Sequence, residues 1–569
     1  VTELLVVLVV AFLVIAAATV IAPRAGIASP LVLVAIGVGA SFLPAFGEFR
    51  IEPEWILAGV LPPLLYSSAV SMPAMNFRRE FAAISGLSVL LVVGSALLLG
   101  VFFMLVIPGL GLAWGVALGA IVSPTDAVAT SIIKKTSVSK RVVAILDGES
   151  LLNDATALVL LRTAIVAAAA TFSFWGAVGT FAYSVAVAIA IGLVVGWLNL
   201  TIRKRVTDST VNTVISFTVP FIAAIPAELL GASGLVAAVV AGLVTGIRAP
   251  RDLSPQNRLS DSQNWRTVEL VLEGAVFLTM GLQIKSIVTD VQSDHSGVGA
   301  PVLIALGALG LTILVRAAYI APLLASLGAG ARRSARLAPR LKDMQDKLAT
   351  PQGAQGAFNE VNTRRRPVSE RDVNRFARRI TQGLADIEYF RRQPLGWRDG
   401  TAVVWAGMRG AVTVAAAQTL PEGTPQRSVL VLIAFAVAAL SLLVQGGTIG
   451  PLIRQITPAV DQPAATAQLT AERNEIMALL RSSAETVEAP PVRSGEPTLQ
   501  SFFEAKSHRL AVIAAQRAAL LDARDNGTFD AEVLASELAN LDAAEIAIDL
   551  RGKGAEEALG YDPAAPPSS

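Results

Sequence analysis

The sequence predicts an all-α membrane protein of about thirteen transmembrane helices, and three observations carry that prediction. Hydrophobic residues make up 53% of the chain and charged ones 16%, against about 25% charged in an ordinary soluble domain. Apolar runs of spanning length recur along it. The lysines and arginines between those runs fall on alternate loops.

The runs cover about 3–22, 29–45, 54–72, 82–107, 111–136, 143–170 and 172–200, then 211–226, 229–248, 265–288, 298–327, 399–420 and 427–455. The first has no basic segment before it and is about 20 residues long, so it reads as a first span and not a signal peptide. With the N-terminus outside, fifteen basic residues from Arg24 to Arg454 occupy the inner short loops, and only Arg50, Lys285 and Arg427 the outer ones. The expected placement is multi-pass in the plasma membrane, with the C-terminus cytoplasmic.

Residues 1–327 thus hold spans one to eleven and 399–455 spans twelve and thirteen. Between them, 328–398 is a basic cytoplasmic insert (ARRSARLAPR, NTRRRPVSERDVNRFARR), read as a solvated, partly helical loop. Anionic lipid head groups are its alternative partner, and a loop tied between two spans does not suit nucleic acid. Residues 456–569 show amphipathic helical spacing and predict a small soluble helical tail, with regulation as its candidate role. Asn526-Gly527 stops one tail helix, and Thr528 is the expected cap of the next.

The chain has no cysteine, which excludes disulfides and thiolate chemistry, and its two histidines, His295 and His508, lie outside the apolar runs. What remains is an intramembrane constellation in GAIVSPTDAVATS (119–131), GESLLNDATALVLL (148–161) and WAGMRGAVTVAAA (405–417). At the helical rise, Asp126, Asp154 and Arg409 lie roughly 22, 17 and 15 Å from the ends at which their spans enter, near the middle of a hydrocarbon core about 30 Å thick. A charge there costs about 2.5–3.5 kcal/mol even on the lenient insertion scale, so each needs a partner or a task.

Pro124 predicts a break in span five, and Gly407 and Gly410 loosen span twelve. Each is the fifth span of a six-span set, one to six and eight to thirteen, and the two sets run in opposite directions. Interrupted spans at matching positions of two inverted repeats mark a transporter with its site between them. Glu149 with Arg409 reads as a structural ion pair, and Asn153 as a helix-to-helix hydrogen-bonding group. Thr125 and Ser150 either bond to backbone carbonyls or serve as ligands. Asp126 and Asp154 are left without a cation, and Asp154 carries the functional reading. Arg162 and Arg316 read as snorkelling to the interface. Glu269 and Glu273, four apart on span ten, read as the wall of a funnel.

On SPTDAVA (123–129), GESLLND (148–154), SGLVAAVVAGLVTG (233–246), FLTMGLQ (277–283) and GMRGAV (407–412), residues 1–455 resemble the monovalent cation/proton antiporters, in their bacterial sodium/proton exchanger branch. The resemblance implies crossed, discontinuous spans five and twelve in a core domain, a dimerisation domain, and a homodimer. It implies that Asp154 of the Asn153-Asp154 pair takes either a proton or a cation, and that Asp126, Thr125 and Ser150 supply further oxygens to Na+. It also implies a buried Glu149–Arg409 pair. In LPPLLYSSAV (61–70) many relatives carry a glutamate near Ser67, and this chain does not.

The expected function is secondary active sodium/proton antiport, not enzyme catalysis, with no cofactor. A carboxylate withdrawn from water holds a proton more tightly, and the same carboxylate suits a hard cation. If it always holds one or the other while the protein switches, exchange is obligatory. Asn153 in place of a second aspartate leaves one exchangeable charge and suggests electroneutral exchange. No ATP-binding loop is visible, so the opposing ion gradient is the driving force. Potassium/proton exchange on the same fold, a cation channel, and an intramembrane aspartyl protease using Asp126 and Asp154 are the rival readings.

Overall fold

The computed structural model describes residues 2–25, 27–46, 52–134, 136, 138–169, 174–294, 297–348, 370–456, 462–489 and 499–559. Residues 349–369 of the basic insert and 457–461 at the start of the tail lie outside them. Every regular element among the described residues is helical. They divide into two compact units, Val1–Ala249 with Asp261–Gly330 and Gln393–Ala459, and Pro250–Ser260 with Ala331–Arg392 and Val460–Ser569.

The first unit carries the apolar helices. α1 (Thr2–Ile21) and α2 (Ser29–Ser41) come first, and wide helical turns over Trp55–Val60 lead into α3 (Leu61–Ser71). Pro62 and Pro63 sit at the start of α3, where a missing amide N–H costs least. α4 (Ala74–Ser85) runs through similar wide turns, Gly86–Leu91, into α5 (Val92–Val106). Span five is two helices, α6 (Leu112–Val122) and α7 (Val128–Ile133), and α8 (Lys140–Ala169) follows. α9 (Phe174–Arg203), α10 (Ser209–Leu229), α11 (Gly234–Asp252), α12 (Pro255–Leu282), α13 (Ile284–Ser293) and α14 (Gly299–Leu348) come next. After α15 (Glu370–Arg392), span twelve is again two helices, α16 (Trp397–Trp405) and α17 (Ala411–Gln418). α18 (Arg427–Ser441) continues through Leu442–Gly446 into α19 (Gly447–Ile456).

Among the described residues, nine helical stretches are long and apolar enough to cross a membrane. The four expected spans missing from those nine are short, as in α2 and α3, or interrupted, as in α6–α7 and α16–α17. Helix length alone therefore picks out neither the short elements nor the interrupted ones. α1 leaves Leu5, Val6, Val9, Phe12 and Leu13 exposed, as a lipid-facing helix does. Inward, one core joins Leu99 and Phe103 of α5, Leu118 of α6 and Leu430 to Val437 of α18. A second joins Tyr66 of α3, Ala223 of α10, Ala237 of α11 and Trp265 of α12, whose indole N–H donates to Ser216 at 2.8 Å.

Two arginines that sequence counts as loop charges are buried in pairs. Arg141 meets Glu80 at 2.7 Å, and Arg203 meets Asp261 at 3.0 Å while bonding Asn212 at 2.8 Å. They pin α8 to α4 and α9 to α12.

In the second unit α20 (Gln462–Glu485), α21 (Leu499–Asn526) and α22 (Ala531–Leu559) share a core of Ile476, Leu480, Ile513, Leu520, Leu534 and Leu541. Gly527 has φ 73°, a left-handed conformation that ends α21 as expected. The cap of α22 is Asp530, whose Oδ1 accepts from the Glu532 amide at 3.0 Å. Thr528 turns back to donate to the Ala523 carbonyl at 3.1 Å and closes α21 instead. α15 joins through Gln382, which donates to the Asp525 carbonyl at 2.9 Å.

The segment Pro250–Ser260 belongs to this unit because ion pairs hold it there. Arg258 chelates Asp542, which also meets Arg517 at 2.9 Å, and Arg251 meets Asp525 at 2.8 Å. Asp542→Ala strips the shared carboxylate from two part-buried guanidinium groups. The expected loss is about 2 kcal/mol, between the buried and exposed limits. Hydrogen exchange on the full chain should show faster exchange in both 254–260 and 531–550; unchanged protection of 254–260 removes Arg258–Asp542 as its anchor.

Candidate functional site

The two breaks meet. Ser123–Ala127 separates α6 from α7, Ala406–Gly410 separates α16 from α17, and the Asp126 amide donates to the Met408 carbonyl at 2.7 Å. The Asp126 carboxylate accepts from the Val128 amide at 3.1 Å and so closes the start of α7. Its side chain also lies on Gly410, where a Cβ would fall 2.9 Å from the Asp126 Cβ, so only glycine fits. Arg409 is the opposite counterpart. Its Nε donates to the Val122 carbonyl at the end of α6 at 2.9 Å, and its Nη1 to the Gly407 carbonyl just past α16. Negative charge thus sits where helices begin and positive charge where they end, which complements the dipoles of the broken helices.

The expected Glu149–Arg409 pair does not form. Glu149 is chelated by Arg316 of α14, Nη1 to Oε1 at 2.5 Å and Nη2 to Oε2 at 2.7 Å, with both side chains at most 3% exposed. Arg316 therefore does not snorkel. The physical reason is that helix-end carbonyls already satisfy the Arg409 guanidinium, which leaves the fork of Arg316 to match the carboxylate. Its Nε also donates to the Val403 carbonyl at 2.9 Å, and Gly407 leaves room for it: a Cβ there would lie 2.8 Å from Arg316 Cδ.

Around this pair the hydroxyls and amide of the site are committed to one another. Thr125 Oγ1 donates to Glu149 at 3.0 Å and accepts from Asn153 Nδ2 at 2.9 Å. Asn153 also donates to the Thr125 carbonyl at 2.7 Å, and its Oδ1 accepts from the Asp154 amide at 2.6 Å. The amide is spent on fastening α8 to the break in span five. Ser150 Oγ donates to the Asp147 carbonyl at 3.0 Å, which leaves its lone pairs free.

Thr125, Asp126, Ser150 and Asp154 line one cavity of about 80 Å³, walled by Leu61, Leu65 and Phe277. One water needs about 10–15 Å³ on that measure, so several fit. Asp154 is half-buried there, and among the described residues its carboxylate accepts no hydrogen bond and meets no cation. No three acidic side chains converge as metal ligands among the described residues, so a cation would draw oxygens from hydroxyls, carbonyls and water as well. Glu273, expected in a funnel, stands in this cavity's wall, while Glu269 accepts a hydrogen bond from Ser67 at 3.3 Å. The signal for Arg316 was an arginine well inside an apolar run; that for Glu273 was an acid one turn beyond Glu269 on the same helix face.

The family described as "Sodium/hydrogen exchanger, transmembrane" matches residues 8–341 and 376–455, and the chain belongs to it. An uncharacterised Na+/H+ exchanger of Mycobacterium tuberculosis is 26% identical over 525 residues, 90% of this chain and 84% of the relative. A sodium, potassium, lithium and rubidium/H+ antiporter of Bacillus subtilis is 30% identical over 274 residues, 47% of this chain and 41% of the relative. The solved sodium proton antiporter from Methanocaldococcus jannaschii has a TM-score of 0.53 at 15% identity, covering 80% of this chain and 99% of that one, which shows the fold. The chain is a multi-pass membrane protein of an ion-exchanging family, not of a catalytic one.

Stability tests the pairing. Arg316→Ala strands a buried carboxylate, and the expected loss is about 3–5 kcal/mol, read as a lowered melting temperature in detergent. In double-mutant cycles Glu149→Gln should couple more strongly to Arg316→Ala than to Arg409→Ala. Equal coupling would dissolve the distinction.

Proposed function

We propose that this chain exchanges sodium for protons by alternating access, with Asp154 holding either a proton or the cation. The observation that carries this reading is a carboxylate in a cavity between the broken helices, with both nearby arginines committed elsewhere. Arg316 is spent on Glu149 and Arg409 on helix-end carbonyls, so no fixed positive charge is left over for Asp154. An unpaired buried carboxylate is costly, and a proton or a cation removes the cost equally well. The two therefore compete for one site, and an empty site resists the passage between states.

When the cation is bound, Asp126, Thr125 and Ser150 supply the other protein oxygens, and waters in the cavity complete the shell. Asn153 is a positioning residue: it holds Thr125 and the Asp154 backbone in register. One exchangeable carboxylate gives one-for-one, electroneutral exchange. The protein works as a homodimer in the plasma membrane, N-terminus outside and C-terminus cytoplasmic, with 328–398 near anionic lipid. The name of the Bacillus relative includes potassium, which keeps potassium/proton exchange as the second reading.

Ion-specific flux in proteoliposomes, with Na+, Li+ and K+ compared, decides between them. Sodium-dependent proton flux is expected in the parent protein, and none in Asp154→Asn, because an amide cannot alternate between proton and cation. That variant should melt close to the parent protein. Full flux through Asp154→Asn would falsify the assignment.

A further inference from the structure

The central cavity has an acidic residue that the exchange just described does not use. Glu273 of α12 lines the same cavity as Asp126 and Asp154. Its side chain is exposed, and among the described residues it has no hydrogen bond and no ion pair. One turn earlier Glu269 differs on each point. It accepts from Ser67, and the charges of Arg266 and Lys134 act on it. Lys134 in turn pairs with Asp147 at 3.0 Å. A polar track therefore follows α12 from the cavity, past Glu269, to the end of α7 and the start of α8. It also runs past Ser67 of α3.

We propose that Glu273 is an affinity-determining residue for the transported cation: it draws the ion into the cavity and passes it to Asp154. The inference rests on the antiport reading. When ionised, Glu273 is an uncompensated charge inside a cleft with low-dielectric walls, and such a charge raises the local concentration of counter-ions. Because Glu273 is not needed to hold the ion at Asp154, it acts on half-saturation and leaves turnover alone. Glu269, compensated by its basic neighbours, contributes less. The effect is a field effect, so salt weakens it.

The test is initial sodium-dependent proton flux against sodium concentration, in vesicles of matched protein content. Glu273→Gln should raise the half-saturating sodium concentration about tenfold while the maximal rate stays within about twofold. Glu273→Asp should fall within about threefold of the parent, and Glu269→Gln within about twofold. The Glu273→Gln difference should shrink when a non-transported salt is raised to about 0.5 M. Half-saturation unchanged in Glu273→Gln overturns the proposal. So does a loss of maximal rate that Glu273→Asp does not restore, which would mark a structural role. A parent protein without sodium-dependent flux would instead overturn the antiport reading itself, which separates the two failures.

Discussion

The closure of Arg316 on Glu149 is the interaction on which the site depends. One guanidinium fills both carboxylate oxygens at 2.5 and 2.7 Å and reaches the Val403 carbonyl at 2.9 Å, so it ties α14 to α8 and α16 at once. Thr125 adds the break in span five by donating to the same carboxylate. A buried pair of this kind adds little net stability over apolar residues, but losing one partner is severe. Its value is positional. It neutralises the charge of Glu149 and leaves Asp154, five residues later on the same helix, as a carboxylate with no cation.

The crossing obeys a second electrostatic rule. Interrupting two apolar helices exposes helix ends that lipid cannot solvate. Asp126 answers the amide end of α7 and Arg409 the carbonyl ends, and Gly410 and Gly407 are the gaps that admit Asp126 and Arg316. The two charges are therefore structural complements of the broken backbone as much as site residues. Because both are committed locally, Asp154 and Glu273 are the cavity's unpartnered carboxyl groups among the described residues.

The second unit shows the same economy with exposed chemistry. A three-helix core with α15 docked on it holds the Pro250–Ser260 segment through Arg251 and Arg258. That segment leads directly into α12, the helix that carries Glu269 and Glu273.

By itself the sequence determined what depends on local chain chemistry. Apolar runs set the membrane class, Pro124 and the Gly407–Gly410 pair set the breaks, and mid-run carboxylates marked residues that the structure brings to one cavity. Each follows from composition or from one residue's backbone limits. Only the tertiary structure decided which charges meet. Glu149 and Arg316 are 167 positions apart, and both Arg316 and Arg409 lie deep enough to reach a carboxylate at the crossing. The choice turned on where the carbonyls of α6 and α16 converge, because they claim Arg409 first. The same holds for Glu273, whose place beside Asp126 and Asp154 was not legible: rotation of α12 about its axis is set by packing of Trp265, Phe277 and Met280 against other helices, and no local pattern encodes it.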